Sequence, residues 1–362
     1  MRGRGLLGRE DVRSTPKGQG EACGLLGIKG TEKRRHGQLG SVELCPSTEP
    51  TRHYATIGVL ILWREADMAS DRPIGVFDSG LGGLTVARAI ATELPQESIV
   101  YFGDTARCPY GERSQKEVRQ FVGQLSRWFE RQNVKLLVIA CNTATAAGLA
   151  AAQYMLDIPV LGVIVPGARA VVQATHSRKV GVLATKGTCE SGQYPRAIHA
   201  LDYGVKVWQA PSPRSVEIVE RAVAAPHAMG RDWMADKDYL DTSEILGVAQ
   251  EDLTPLMGHG IDAVILGCTH FPLLKQVYQR VLGPEVSIVS SAEETAREVR
   301  EYLARSCDLA DATHDSRYRF ATTSSELAAF CVAGEYIFGR ALESVEHVDV
   351  EELEALSVPQ LS

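Results

Sequence analysis

Long hydrophobic runs are missing from this 362-residue chain. The apolar stretch Ile57-Gly58-Val59-Leu60-Ile61-Leu62-Trp63 falls far short of the ~20 residues of a membrane-spanning helix. It also lies too far from the start for an ordinary signal peptide. A cationic excess is missing as well. With 38 Lys and Arg against 45 Asp and Glu, the net charge is −7, which argues against a partner that is nucleic acid or an anionic membrane. The 8 cysteines include no CxxC pair and no framework spacing, so reduced thiols and a cytoplasmic location are expected. No Walker A lysine follows a glycine loop, and no lysine stands in a pyridoxal-phosphate context.

What is present is a chain long enough for two cores, at about 100–200 residues per domain. Its 44% hydrophobic content excludes collagen-like and disordered classes for the chain as a whole. The front differs from the rest. Residues 1–67 hold 11 Lys and Arg against 8 Asp and Glu, are rich in Gly, Arg, Ser and Thr, and show no sustained helical or strand period. Residues 1–71 are therefore expected to be a disordered extension or the product of a mis-assigned start.

From residue 73 short apolar runs alternate with amphipathic stretches. Ile74–Phe77, Ser98–Phe102, Val134–Ala140 and Val160–Val165 read as strands, separated by helices over Leu84–Glu93, Gln115–Gln132 and Thr143–Met155. A second unit repeats the rhythm, with strands at Val180–Ala184, Val205–Gln209 and Ala263–Leu266 and helices at Pro195–Leu201 and Ser215–Val223. Ser287–Val289, the helix Ala292–Arg305 and Tyr318–Thr322 follow. Such alternation predicts an α/β fold with mainly parallel sheets, each covered on both faces. Residues 225–242 break the period as an inserted loop, and the acidic tail after Val350 is expected to be mostly solvated.

Two segments match one another. Lys135–Thr143 reads KLLVIACNT and Asp262–His270 reads DAVILGCTH. Each is a buried-strand run ending on a cysteine, followed by residues that can cap a helix. Ligands of open α/β sheets bind at the carboxyl ends of strands, so Cys141 and Cys268 are expected on opposite walls of one cleft. Read singly, either sulfur fits ordinary packing. The matched pair favours chemistry: one thiolate removes a proton from a carbon and an opposing thiol returns one to the other face. Asn142, Thr143 and Thr269 offer donors to a carboxylate, His270 can tune or relay for Cys268, and Asp78 can accept from an ammonium group.

Two other readings share these residues. Gly80-x-Gly82 after the first strand, with Asp104 further on, is a near-match to a dinucleotide fingerprint, although Thr85 takes the third glycine position. Cys268-x-His270 with Cys141 supplies three ligand types for zinc, at a spacing looser than usual.

The blocks Phe77-Asp78-Ser79-Gly80-Leu81-Gly82-Gly83-Leu84-Thr85, Gly103-Asp104-Thr105-Ala106-Arg107-Cys108-Pro109-Tyr110-Gly111, Ala140-Cys141-Asn142-Thr143-Ala144-Thr145 and Leu266-Gly267-Cys268-Thr269-His270-Phe271-Pro272-Leu273-Leu274 resemble, in order and spacing, the bacterial glutamate racemases of the aspartate/glutamate racemase family. The resemblance covers roughly residues 72–350. It implies two pseudo-symmetric α/β domains, with the active site in the cleft between them. The first would comprise 72–166 plus 286–352 and the second 167–285, leaving 353–362 as a tail. It implies a cofactor-independent enzyme, without metal, that supplies D-glutamate for peptidoglycan. Cys141 and Cys268 would be the two bases, assisted by Asp78 and His270. Asp78, Ser79, Tyr110, Gly111, Asn142, Thr143, Thr269 and His270 would line the substrate, and Asp104 and Glu220 match further family carboxylates. A homodimer, and activation by a peptidoglycan precursor as in members carrying an N-terminal extension, are also implied. A related racemase for aspartate or another small acid is the enzyme alternative, because side-chain length is read by pocket shape. A clamshell that binds without turnover is the other, and the presence of both cysteines, Asp78 and His270 argues against it.

Overall fold

A computed structural model of the chain describes residues 70–224, 242–356 and 358. The expected N-terminal extension lies almost wholly outside these residues, as do the inserted loop up to residue 241 and the end of the tail.

The described strands are β1 (Ile74–Asp78), β2 (Ile99–Gly103), β3 (Leu136–Ile139), β4 (Val160–Gly162), β5 (Lys179–Ala184), β6 (Lys206–Pro211), β7 (Ala263–Gly267), β8 (Ser287–Ser290), β9 (Tyr318–Thr322) and β10 (Val345–His347). They form one sheet of order β10-β9-β2-β1-β3-β4 and a second of order β6-β5-β7-β8. Every pairing is parallel. The orders β2-β1-β3-β4 and β6-β5-β7-β8 are the same path traced twice, so the pseudo-symmetry expected from the two cysteine segments is explicit in the topology. The path reverses at β1 in one sheet and at β5 in the other. Such switch points open a crevice at the strand carboxyl ends.

The helices used below are α1 (Leu84–Glu93), α2 (Gln115–Arg131), α3 (Asn142–Met155), α4 (Ile164–Ala174), α5 (Lys186–Ser191), α6 (Gln193–Leu201), α7 (Pro213–Ala224), α8 (Ser243–Leu253) and α9 (Lys275–Leu282). Local chemistry sets their starts. Ser114 Oγ accepts from the Glu117 amide at 3.2 Å to open α2, and Thr242 Oγ1 accepts from the Ile245 amide at 3.2 Å to open α8. Strands β1, β2, β3 and β7 are buried throughout, which their continuous apolar runs require when helices cover both faces.

Two sequence expectations need correction. The run Val160–Val165 is a strand only to Gly162, and Ile164 already opens α4. A continuous apolar run carries no period to mark the change, and Pro166 is tolerated because it falls in the first helical turn. Secondly, Ser287–Ser290 does not return to the first sheet. It pairs with β7 in the second, because a short crossover through α9 lays the next parallel strand beside the one it left. The acidic end is mostly exposed, as expected, with Leu353 and Leu356 buried against the core that contains Phe77 and Trp128. No helix among the described residues is long and apolar enough to cross a membrane.

At the edge of the sheet opposite the cysteine, the buried Lys135 ties three segments together. Its Nζ lies 2.8 Å from Glu97 Oε2 and donates to the carbonyls of Ser70 at 2.7 Å and Asp308 at 2.6 Å. Lys135→Met would strand the Glu97 charge in the interior, and a loss of about 3–5 kcal/mol is expected in denaturant unfolding. A loss below about 1 kcal/mol, the scale of a surface pair, would contradict this role.

Candidate active site

Cys141 follows β3 and Cys268 follows β7, the third strand of each repeat. Both sulfurs open onto one crevice, whose walls include Ser79, Tyr110, Gly111, Asn142, Thr143, Thr269 and His270. These are the residues expected from the sequence, brought together from segments almost two hundred positions apart. The space between them is about 10 Å³, room for roughly one water, so the walls must part to admit an amino acid.

Cys141 is the cap of α3. Its Sγ accepts from the Ala144 amide at 3.4 Å and lies 3.8 Å from Ser79 Oγ, to which it donates. Burial, with the nearby Asp78 carboxylate adding to it, pushes this thiol up to about 12, against the smaller opposing pull of the Ala144 amide. Cys268 Sγ lies 3.7 Å from His270 Nδ1, and His270 Nε2 lies 2.6 Å from Glu220 Oε1. Burial of the imidazole works against its charge. The bonds to Cys268 and Glu220 outweigh that cost, and His270 is held well above its ordinary range. It stands between a sulfur and a carboxylate.

Asp78 ends β1 and is fully buried. Its Oδ2 accepts from the Gly80 amide at 3.1 Å and its Oδ1 from Thr269 Oγ1 at 3.1 Å. Burial raises its carboxyl, with the His270 charge and these hydrogen bonds holding it back. The Thr269 bond joins the two repeats directly. So does Gly82, where a Cβ would fall 2.5 Å from Thr269 Oγ1 and 2.7 Å from His270 Nδ1. That glycine serves close approach between the two walls, as the backbone turn of the first strand requires.

Of the two further carboxylates, Glu220 reaches the site by way of His270, and Asp104 does not face the crevice. Asp104 is buried beneath it, accepting from Tyr110 Oη and, at 2.7 Å, from Arg107 Nε through Oδ2, and from Thr323 Oγ1 at 3.0 Å through Oδ1. Asp104 braces the loop that carries Tyr110 and Gly111.

Sequence reasoning missed several neighbours, Val216 on the crevice wall among them. Thr185 lines the crevice, with its Oγ1 2.8 Å from Thr143 Oγ1. It follows β5 as Ser79 follows β1, a signal the repeat itself contained. Cys108 carries no chemistry in the sequence reading, yet its Sγ sits 4.0 Å from Glu220 Oε1. Tyr194, on α6, donates to Asn142 Oδ1 at 2.7 Å, and no local pattern announces that contact. Among the described residues, no group of three or more His, Cys, Asp or Glu is arranged to hold a metal ion.

Known proteins share this arrangement. Residues 75–299 match the model of the Asp/Glu/Hydantoin racemase family. The chain is 42% identical over 284 residues to a glutamate racemase of Bacillus cereus, an alignment covering 78% of this chain and 99% of that protein. In structure it is similar to a glutamate racemase isoform of Bacillus anthracis, with a TM-score of 0.70 and 43% identity over 77% of this chain and 98% of that one. It is also similar to a Francisella tularensis glutamate racemase solved in complex with D-glutamate, with a TM-score of 0.69 and 31% identity over 79% of this chain and 99% of that one. With the family's pattern running through most of the paired-sheet body, the chain belongs to the Asp/Glu/hydantoin racemase family.

Proposed function

We propose that the protein interconverts L- and D-glutamate by two-base proton transfer at the α carbon, without a cofactor, and supplies D-glutamate for peptidoglycan in the cytoplasm. The observation that carries this reading is the shared crevice, with Cys141 at the end of β3 on one wall and Cys268 at the end of β7 on the other. The choice of glutamate rests on the relatives.

One sulfur, as thiolate, takes the proton from Cα, and the bond's electron pair passes into the planar carbanion. The opposite sulfur, as thiol, gives its proton to the other face. The configuration is inverted and the two sulfurs have exchanged protonation states, so the reverse reaction runs from the product form. Cys141 starts with its proton held firmly, as a buried thiol beside Asp78 would. Substrate ammonium drawn to Asp78 would relieve that negative neighbour and ease ionisation of Cys141 when its turn comes. On the other wall, His270 and Glu220 form the relay that serves Cys268.

Donors at the crevice floor suit the two carboxylates: the amide of Asn142 and the hydroxyls of Thr143 and Thr269, near the helix start at Cys141. Excluding water around them strengthens each interaction with developing charge. We assign the opening motion to two bodies. One holds residues 70–163 together with the described residues after β8. The other holds the described residues from α4 through β8. Pairing into a homodimer and activation by a peptidoglycan precursor belong to the same proposal, and sedimentation with and without such a precursor tests both.

Loss of circular dichroism from L-glutamate, in reductant and without added cofactor, should be seen with the intact protein. Cys141→Ser and Cys268→Ser should each slow it by about 10²–10⁴-fold, the range for a positioned acid or base. Survival of the rate in either variant would defeat the two-thiol scheme, and faster decay with L-aspartate would move the substrate to the shorter acid.

Glu220→Gln removes an anion that raises His270, so the imidazolium loses its proton at lower pH. The alkaline limb of kcat/KM should therefore shift to lower pH in this variant. An alkaline limb at its original position would show that Glu220 does not set the charge of His270.

A further inference from the structure

Tyr194 touches both arms of the site without lining the crevice. Its hydroxyl donates to Asn142 Oδ1 at 2.7 Å, across 52 positions of sequence. Its ring edge occupies the space of a side chain at Gly267, the residue before Cys268: a Cβ there would lie 2.9 Å from Tyr194 Cε2. A Cβ at Gly167 would lie 2.9 Å from Tyr194 Oη. The tyrosine is fully buried and is lodged between α4 and the end of β7, its one polar atom aimed at the residue after Cys141.

Asn142 is 2% exposed and lines the crevice, yet its Nδ2 is buried with no hydrogen-bond partner among the described residues. A buried amide donor left unmade costs free energy unless a ligand uses it. An asparagine amide can also rotate by half a turn and exchange its oxygen for its nitrogen. Fixing the oxygen therefore fixes the nitrogen. The Tyr194 phenol is pushed well up by burial, so it stays protonated and can only serve that oxygen as a donor while it does so.

We infer that Tyr194 is a positioning residue, which locks the Asn142 carboxamide with its NH₂ free to donate to a carboxylate of the substrate and ties that orientation to the strand end carrying Cys268. The inference rests on the proposed racemisation of glutamate for the identity of the substrate, but not for the geometry.

Tyr194→Phe removes one oxygen and keeps the ring, so the packing against Gly267 is retained. KM for both glutamate enantiomers should rise about tenfold, the scale of one hydrogen bond to a charged group, with kcat within about threefold of the original. A role confined to structure would instead lower thermal stability and leave KM alone. In a double-mutant cycle, Tyr194→Phe added to Asn142→Ala should cause no further rise, because the two act as one unit. Nitrogen-15 NMR supplies a readout independent of turnover. The Asn142 side-chain amide signal, identified by its loss in Asn142→Ala, should shift or broaden in Tyr194→Phe. Were Tyr194→Phe to misfold, Asn142→Ala, which lacks the NH₂ and leaves the Tyr194 ring in place, should raise KM by a similar factor.

Wild-type turnover of L-glutamate in the same assay tests the functional reading separately; if it is absent, the amide signal alone decides. An unmoved signal, or a KM within about twofold of the original in an enzyme that racemises glutamate, overturns the inference.

Discussion

In the two-base scheme we propose, two sulfurs have to reach one carbon from opposite sides, and the rest of the structure fits that requirement. A strand carboxyl end delivers a side chain to a fixed point, because the sheet on which it sits is buried on both faces. Repeating the order β2-β1-β3-β4 as β6-β5-β7-β8 supplies two such points from one folding rule. Cys141 and Cys268 follow the corresponding strands. Flexible loops would not hold two bases to a planar intermediate with comparable accuracy.

The two walls are alike in backbone and unlike in electrostatics. Cys141 caps a helix beside a buried carboxyl, and burial together with that carboxyl pushes its thiol up to about 12. Cys268 faces an imidazole that burial alone would lower and that its bonds to Cys268 and Glu220 hold well above its ordinary range. A racemase must bind mirror-image substrates and run the same proton transfer in both directions. The geometry provides the symmetry for that task, and the neighbours make the two walls differ. Contacts between the walls, from Thr269 to Asp78 and from Gly82 to His270, make the electrostatics depend on closure.

Much of this could be read in the sequence because the decisive signals are local. Helix Leu84–Glu93 and strand Tyr318–Thr322 fall where their apolar patterns put them, and the cysteine blocks name the lining of the crevice. Where local patterns ran out, the reading failed. Val160–Val165 is apolar throughout, and strand and helix look the same in such a run. Ser287–Ser290 could be given a sheet only by knowing which strand it adjoins. Thr185, Cys108 and Tyr194 act across distances of forty to more than a hundred positions, and a single sequence carries no record of which distant residues meet. Asp104 was legible as a residue of the site region, but its part as a brace under Tyr110 is a matter of three-dimensional packing.

The two-base account is tested most directly by the fate of the α proton in deuterium oxide. Starting from L-glutamate, product and remaining substrate are separated at early conversion and their deuterium content at Cα is measured by mass spectrometry. With a separate base on each face, the D-glutamate formed should carry deuterium while the recovered L-glutamate still carries protium. Deuterium entering recovered L-glutamate as fast as it enters D-glutamate would mean a single base serving both faces, and would contradict the assignment of Cys141 and Cys268 to opposite sides of one carbon.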